Sequence, residues 1–245
     1  MCRLPPRWLT RHGLKTNDGL LQRPLRRIES PFIQIQRLMI NHHYQIVVFD
    51  CDGVMFDTRQ ANRSYYNHIL ARLNKPPMND DQFAYTHMHT VDEALVHLFQ
   101  DEEQVRSAQR IRQQMSYIPF LKDMLIEPHL KTVLQKLRPR YKTGVATNRT
   151  DTMNRVLHTH GLEGMFDLVV TALDVEHPKP HPDQLLKLLG HFALEPDQML
   201  YIGDSVVDEM AAVAAGVDLA AYDNPELSAR YHIKGLDELK RILKL

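Results

Sequence analysis

The spacing of apolar residues predicts a buried strand and then a helix in the segment that begins near residue 44. The run from Ile46 to Phe49 is uninterrupted and apolar, and it stops at two carboxylates, Asp50 and Asp52, which are followed by Gly53. A short apolar run bounded by a turn residue is typical of a buried strand. Residues 58–73 then place apolar side chains at helical spacing. We therefore expect a strand over 44–50 and a helix over 58–73 with Thr58 as its N-cap.

Residues 79–121 predict helices and no strand. Their helical patterns cover Asp80–Met88, Val91–Phe99 and Glu102–Met115. Apolar positions in these segments recur three and four residues apart, which is the period of an amphipathic helix. The sequence therefore predicts a helical insertion over residues 59–121, between the first strand and the second.

From residue 128 onwards, strand patterns and helix patterns alternate. The predicted order is a helix from Pro128 to Leu137, a strand over Tyr141–Ala146, a helix over Thr150–His160, a strand over Phe166–Thr171, a helix over His181–Phe192, a strand over Met199–Ile202, a helix over Val206–Ala215 and a final strand over Val217–Ala221. Such alternation is typical of an α/β fold with a parallel, doubly wound sheet. Its right-handed crossovers bring the carboxyl ends of the strands to one edge.

Composition places the chain among ordinary globular proteins. The 245 residues are 43% hydrophobic and 24% charged, and the formal net charge is zero. A neutral chain offers no general attraction for nucleic acid, and no apolar run is long enough to span a bilayer. The two cysteines, Cys2 and Cys51, cannot form a disulfide framework. We therefore expect a cytoplasmic protein without a nucleic-acid or membrane partner, either a monomer or a homodimer.

Residues 1–41 differ from the rest of the chain. They carry eight Lys or Arg against two acidic residues, and they contain four prolines and no clean period. We expect a disordered extension, followed by a core over 42–58 and 122–245. Three interpretations of the extension stay open: a basic binding arm, an Arg-rich transit peptide, or a start-site artefact with Met39 as the true start. The last two are favoured, because aromatic residues do not alternate with the basic ones.

Polar residues follow four of the five predicted strands. The set consists of Asp50, Asp52, Thr147, Asn148, Lys179, Asp204 and Asp208. Taken singly, each position has an ordinary explanation, such as a helix cap for Thr147 or a turn for Asp204. Together, at one edge of a parallel sheet, they suit a phosphoryl group held beside Mg²⁺, which prefers carboxylate and phosphate oxygens.

The chemistry of such a site assigns a role to each residue type. Asp50 could attack phosphorus and form an aspartyl-phosphate, while Asp52 protonates the leaving group and later takes a proton from water. Asp50 and Asp204 could hold Mg²⁺. The predicted contacts to the phosphoryl oxygens come from Thr147, Asn148 and Lys179. Asp208 either holds water on the Mg²⁺ or orients Lys179.

The four motifs resemble those of the haloacid dehalogenase (HAD) superfamily. The motifs are Asp50-Cys-Asp52-Gly-Val-Met-Phe-Asp57, Thr147, Lys179 and Gly203-Asp204-Ser-Val-Val-Asp208, and the resemblance covers residues 44 to about 225. The chain looks closest to the phosphoglycolate phosphatase and β-phosphoglucomutase branch, which carries a helical cap between its first two motifs. The resemblance implies a Rossmann-like core, an aspartyl-phosphate on Asp50, and Mg²⁺ held by Asp50, Asp204 and the backbone carbonyl of Asp52. Because dehalogenases lack an acid at the position of Asp52, the resemblance excludes carbon–halogen cleavage.

The expected function is Mg²⁺-dependent hydrolysis of a small phosphate monoester, either phosphoglycolate or a sugar phosphate. The alternatives are a β-phosphoglucomutase-type phosphomutase and a non-catalytic binding or regulatory module on the same fold. Specificity should come from the cap. The candidate phosphate- or substrate-binding residues outside the core set are Gly53, Arg59, Asn62, Arg63, the segment from His87 to Thr90, and Arg149. Arg149 could reach a second anionic group of the substrate or lie on a helix surface.

Overall fold

The computed structural model describes residues 44–88, 91–138 and 140–245, without the side chains of His87 and Met88. The predicted extension over 1–41 and most of the segment from His87 to Thr90 lie outside the described residues. Within the described part of the chain, no helix is both long and apolar enough to cross a bilayer.

Six parallel strands form the central sheet. The strands of the described residues are β1 (Ile46–Phe49), β2 (Phe56–Asp57), β3 (Leu125–Ile126), β4 (Lys142–Ala146), β5 (Leu168–Val170), β6 (Met199–Gly203), β7 (Asp218–Tyr222) and β8 (Tyr231–Ile233). The order in the sheet is β5-β4-β1-β6-β7-β8, while β2 and β3 form a separate antiparallel pair. Val48 of β1 lies opposite Gly144 on one side and Tyr201 on the other. The first predicted strand is therefore central, between the two strands that carry Thr147 and Asp204 at their ends.

Nine helices of the described residues surround or extend this sheet. They are α1 (Arg59–Arg72), α2 (Asp80–Met88), α3 (Val91–Phe99), α4 (Glu102–Gln114), α5 (Leu130–Leu137), α6 (Met153–Thr159), α7 (Asp183–Phe192), α8 (Val206–Ala215) and α9 (Leu239–Leu243). The α/β class and the alternating order predicted from residue 128 are confirmed. Single 3₁₀ turns lie at Ile118–Asp123, Ala172–Asp174, Pro196–Gln198 and Leu236–Glu238.

Two local predictions were wrong. The strand near residue 220 is not the last one, because β8 extends the sheet in parallel beyond β7. Three residues that alternate between polar and apolar are too short a pattern to stand out from a loop. The residue before α1, Thr58, makes no side-chain cap; instead the carboxylate of Asp57 accepts from the Arg59 N–H at 2.9 Å.

Both faces of β1 are buried, which explains its continuous apolar run. Val47 and Phe49 belong to one hydrophobic cluster, which includes α5, and Ile46 and Val48 belong to a second cluster, which includes α7. All four side chains have no exposed surface. Each such burial stabilises the fold by about 1.5–3 kcal/mol, so the position of the strand end is rigidly set.

The helices α1 to α4 have a hydrophobic cluster of their own. Its members include Ile69, Leu70, Leu95, Phe99 and Ala108, all of them buried. Asp101 caps α4 by accepting from the Gln104 N–H at 2.9 Å. The insertion is thus a small helical core that follows β2 and returns to the sheet through β3.

Candidate active site

A tight turn after β1 sets the positions of Asp50 and Asp52. The carbonyl of Cys51 accepts from the N–H groups of Met55 and Phe56, and the Gly53 N–H donates to the carbonyl of Phe56. Gly53 has a φ of +87°, and a Cβ at this position would lie 2.0 Å from Asp204 Oδ2. Only glycine therefore lets the first motif approach the fourth so closely. The Gly53 N–H has a partner within the turn, so its predicted contact to phosphate stays a prediction.

The ammonium of Lys179 lies at the centre of a buried polar network. Its Nζ is 2.6 Å from Asp50 Oδ1, 2.7 Å from Asp208 Oδ1, 2.9 Å from the Tyr201 hydroxyl and 3.1 Å from the carbonyl of Ala146. Burial alone would lower the pKa of Lys179, but Asp50 and Asp208 outweigh it and the net shift is upward. The lysine is therefore a fixed positive charge beside Asp50.

Both oxygens of the Asp208 carboxylate are occupied by donors. Oδ1 accepts from Lys179 and from the Tyr201 hydroxyl at 2.6 Å, and Oδ2 accepts from the N–H groups of Asp204 and Ser205 and from the Ser205 hydroxyl. Burial would raise the pKa of Asp208, but Lys179 and the hydrogen bonds lower it. This geometry supports the predicted role of orienting Lys179 better than that of a direct metal ligand.

Burial disfavours the charged forms of Asp50 and Asp204. Burial raises the pKa of Asp50 to about 8, with Lys179 opposing and Asp208 adding to the shift. Burial and the charge of Asp208 raise the pKa of Asp204 to about 7. One oxygen from each of Asp50, Asp204 and Asp208 lies within 4.8 Å of the others. The buried carboxylate of Asp50 and the partly buried one of Asp204 fit a hard divalent cation, which would favour their charged forms.

Thr147 and Asn148 reach the site from the end of β4. Thr147 is buried; its Oγ1 accepts from the Arg149 N–H at 3.1 Å, and its carbonyl accepts from Gln184 Nε2 at 2.7 Å. The side-chain amide of Asn148 donates to the carbonyl of Lys179 at 2.9 Å. Asn148 thus holds the Lys179 loop, and its predicted contact to a phosphoryl oxygen stays a prediction.

Arg149 lies beside Asp52 and not on a helix surface. Its Nη2 donates to Asp52 Oδ1 at 2.7 Å, and only 9% of its side chain is exposed. Burial would lower the pKa of Arg149, but the Asp52 carboxylate outweighs it and the net shift is upward. The acid/base candidate is therefore paired with a permanent cation.

Two cavities meet at this edge of the sheet. The smaller one, of about 320 Å³, includes Asp50, Thr147 and Lys179 in its lining. The larger one, of about 910 Å³, includes Arg59 and Asn62 of α1. We call them the phosphoryl pocket and the outer cavity. Asp52 and Asp204 line both, so the two spaces adjoin at the acid/base candidate.

The structure brings most of the predicted site residues together. The phosphoryl pocket is lined by Asp50, Asp52, Thr147, Asn148, Arg149, Lys179 and Asp204, with Ser205 and Val207. Asp208 lies behind this pocket, and Gly53 and Arg59 line the outer cavity. Arg59 is exposed and pairs with Asp57, two residues away. Arg63 instead pairs with Asp80 at 2.9 Å, within the insertion.

Sequence reasoning missed Tyr201 and Gln184. Tyr201 is fully buried in β6, and its hydroxyl contacts both Lys179 and Asp208. A tyrosine in an otherwise aliphatic strand was a usable signal, because a buried hydroxyl needs a partner. Gln184 gave no such signal, since a glutamine in the first turn of a helix is ordinary.

Comparisons with known proteins agree with this geometry. A family model described as haloacid dehalogenase-like hydrolase matches residues 47–222. Pyrophosphatase PpaX of Bacillus cereus (strain G9842) is 27% identical over 179 residues, which are 71% of this chain and 81% of PpaX.

Two solved structures are also similar. A HAD-superfamily hydrolase of subfamily IA from Geobacter sulfurreducens is 36% identical with a TM-score of 0.78, over 82% of this chain and 97% of that one. The HAD-hydrolase YfnB from Bacillus subtilis bound to magnesium is 19% identical with a TM-score of 0.66, over 83% and 100% of the two chains. The second likeness concerns the fold alone.

The chain belongs to the haloacid dehalogenase-like hydrolases, because the family model covers well over half of it. The resemblance stated from the four motifs is confirmed, and so is the parallel α/β core. The protein is therefore an enzyme of the hydrolase class.

Proposed function

We propose that the protein is a Mg²⁺-dependent phosphatase that hydrolyses a small phosphate monoester through an aspartyl-phosphate on Asp50. One observation carries this proposal: Asp50 and Asp52 line the same pocket as Lys179, with Lys179 Nζ only 2.6 Å from Asp50 Oδ1. A nucleophile, an acid/base group and a fixed cation are the three parts that phosphoryl transfer to a carboxylate needs.

The first step transfers the phosphoryl group. A carboxylate oxygen of Asp50 attacks phosphorus, the ester P–O bond breaks, and Asp52 gives its proton to the leaving oxygen. Lys179 offsets the charge on the phosphoryl oxygens, and Thr147 can donate its hydroxyl proton to one of them. Mg²⁺, held by Asp50, Asp204 and the backbone carbonyl of Asp52, would supply further positive charge to the phosphoryl oxygens when bound.

The second step releases phosphate. Water attacks the phosphorus of the aspartyl-phosphate while Asp52, now ionised, takes a proton from that water. The bond between phosphorus and the Asp50 oxygen breaks, and inorganic phosphate leaves. Asp208 keeps Lys179 in place through both steps, because its Oδ1 accepts from the ammonium at 2.7 Å.

The helical insertion over residues 59–121 acts in this proposal as the cap, and the outer cavity accommodates the leaving group. Its volume of about 910 Å³ gives room for a sugar or a small acid, and its lining is mostly polar. The leading substrates are a sugar phosphate and phosphoglycolate. Inorganic pyrophosphate, which is a phosphoanhydride and not a monoester, is a further compound to assay, because PpaX, the relative at 27% identity, is named a pyrophosphatase.

A phosphate-release assay tests the proposal. Purified protein is incubated with phosphoglycolate, hexose phosphates and pyrophosphate, each with Mg²⁺ and with excess EDTA. We expect release from at least one substrate with Mg²⁺ and loss of release with EDTA. A hexose 1-phosphate converted to its isomer without release would favour the phosphomutase instead. An inert wild type across the panel would contradict both the phosphatase and the phosphomutase.

A further inference from the structure

The side chain of Arg149 is almost completely buried, with 9% of its surface exposed. Arginines are almost never buried unless they are paired, and the pair of Arg149 is the Asp52 carboxylate at 2.7 Å. Asp52 is much more open, with 36% of its side chain exposed. The pair therefore joins a rigidly enclosed cation to a carboxylate that faces the cavities.

Several groups fix the guanidinium of Arg149. Its Nη1 donates to Thr152 Oγ1 at 3.3 Å, its Nη2 also lies 3.6 Å from the sulfur of Met124, and its Cζ stands 5.3 Å from the ring centroid of Tyr117. Its carbonyl accepts from the Ala172 N–H at 3.0 Å. Together with the bond to Asp52, these contacts restrict the guanidinium to one orientation.

Asp52 depends on Arg149 for its own orientation. Among the residues that the structure describes, Arg149 is the only side chain that donates to the Asp52 carboxylate. The bond uses Oδ1 of Asp52, which leaves Oδ2 for a proton transfer in the space between the phosphoryl pocket and the outer cavity. Without the guanidinium, the carboxylate would rotate among several rotamers and lose this direction.

We propose that Arg149 is a positioning residue that holds Asp52 so that its free oxygen faces the leaving-group oxygen of the substrate. The proposal rests on the proposed function, since it assigns the geometry of the acid/base group in that reaction. It also replaces the two earlier interpretations of Arg149: the guanidinium is committed to Asp52, and so it is neither a helix-surface residue nor a free binding group for a second anion.

The contact with Tyr117 extends this arrangement to the helical insertion. The Tyr117 hydroxyl donates to Asn62 Oδ1 at 2.7 Å, and Asn62 lies on α1. Asp52, Arg149, Tyr117 and Asn62 thus form a continuous series of contacts from the strand end to the first helix of the insertion. The guanidinium of Arg149 therefore contacts both Asp52 and a residue of the insertion.

The test compares two leaving groups. Proton donation matters greatly for an alkyl leaving group and little for p-nitrophenolate, which is stable as an anion. The measured quantity is kcat/KM, which reports the step that forms the aspartyl-phosphate. The aryl substrate is p-nitrophenyl phosphate. The alkyl substrate is glucose 6-phosphate or phosphoglycolate, whichever is hydrolysed faster. For Arg149→Gln, we expect the alkyl-to-aryl ratio to fall by about tenfold or more, since general acid catalysis contributes roughly 10²–10⁴-fold.

Two further variants make the result interpretable. Arg149→Lys keeps the positive charge but lacks the planar guanidinium, so it should restore part of the alkyl-to-aryl ratio of kcat/KM. The same variant replaces Arg149→Gln in the test if Arg149→Gln fails to fold. Arg155→Met removes an exposed arginine of the neighbouring helix α6 and should leave the ratio unchanged. An equal fall of kcat/KM for both substrates in the Arg149 variants would overturn the positioning role. A wild type inactive on both would instead overturn the proposed function, and this inference with it.

Discussion

The phosphoryl pocket and the outer cavity hold their charged residues in opposite ways. In the phosphoryl pocket, Lys179 is buried and bonded to Asp50, Asp208 and Tyr201, which come from distant parts of the chain. In the outer cavity, Arg59 has 63% of its side chain exposed and pairs with Asp57, two residues away. Buried networks are preorganised, whereas an exposed local pair can rearrange at little cost. In the proposed function, the phosphoryl pocket therefore fixes the chemistry and the outer cavity selects the substrate.

Replacement of the nucleophile should give the largest effect in the phosphoryl pocket. Asp50→Asn removes the attacking carboxylate and should lower kcat on the order of 10⁴-fold or more, with no phosphoenzyme formed. Phosphate release and acid-quenched labelling with a radioactive phosphate ester measure the two effects. If the variant keeps most of its activity, the nucleophile assignment is wrong.

Replacement of the acid/base group should have the next largest effect. Asp52→Asn keeps the shape of the side chain but cannot donate or accept the catalytic proton, so kcat should fall by roughly 10²–10⁴-fold. A slowly formed phosphoenzyme should still be detected, because Asp50 is intact. A variant that forms phosphoenzyme at the wild-type rate on an alkyl ester would show that Asp52 is not the acid.

Removal of one buried hydroxyl should produce a smaller loss in activity together with a loss of stability. Tyr201→Phe removes the hydroxyl that donates to Asp208 and accepts from Lys179. The fold should lose about 1–3 kcal/mol of stability, and kcat should fall several-fold. Urea unfolding and steady-state kinetics check both effects. The matched control for the stability measurement is Tyr222→Phe on β7, which should change the free energy of unfolding by no more than about 0.5 kcal/mol.

The smallest effect is expected in the outer cavity. Arg59→Ala removes an exposed guanidinium whose pair with Asp57 contributes about 0–1 kcal/mol, so stability should change little. If this cavity selects the substrate, KM should rise a few-fold for the best substrate while kcat stays close to wild type. A large fall of kcat with unchanged KM would erase the distinction between the two cavities.

The order of the catalytic motifs could be predicted because it depends on local signals. An apolar run that ends at Asp50 and a strand that ends at Asp204 are visible in the sequence, and parallel crossovers bring both to one edge. The short strand β8 could not be predicted, because three residues at the edge of a sheet carry no distinct period. The role of Asp57 as a cap was hidden because Thr58, one residue nearer the helix, has an equally suitable side chain.

The sequence by itself determined the α/β class, the helical insertion and which strand ends carry reactive side chains, since each follows from residue type and periodicity over short segments. Only the tertiary structure decided how these side chains pair. Arg149 and Asp52 lie 97 positions apart, and Lys179 and Asp50 lie 129 apart. Pairings over such separations depend on the order of strands in the sheet and on side-chain directions at the strand ends. No local pattern encodes the strand order or these side-chain directions. For that reason the sequence offered Arg149 only as a candidate substrate-binding residue, and the structure places it beside Asp52.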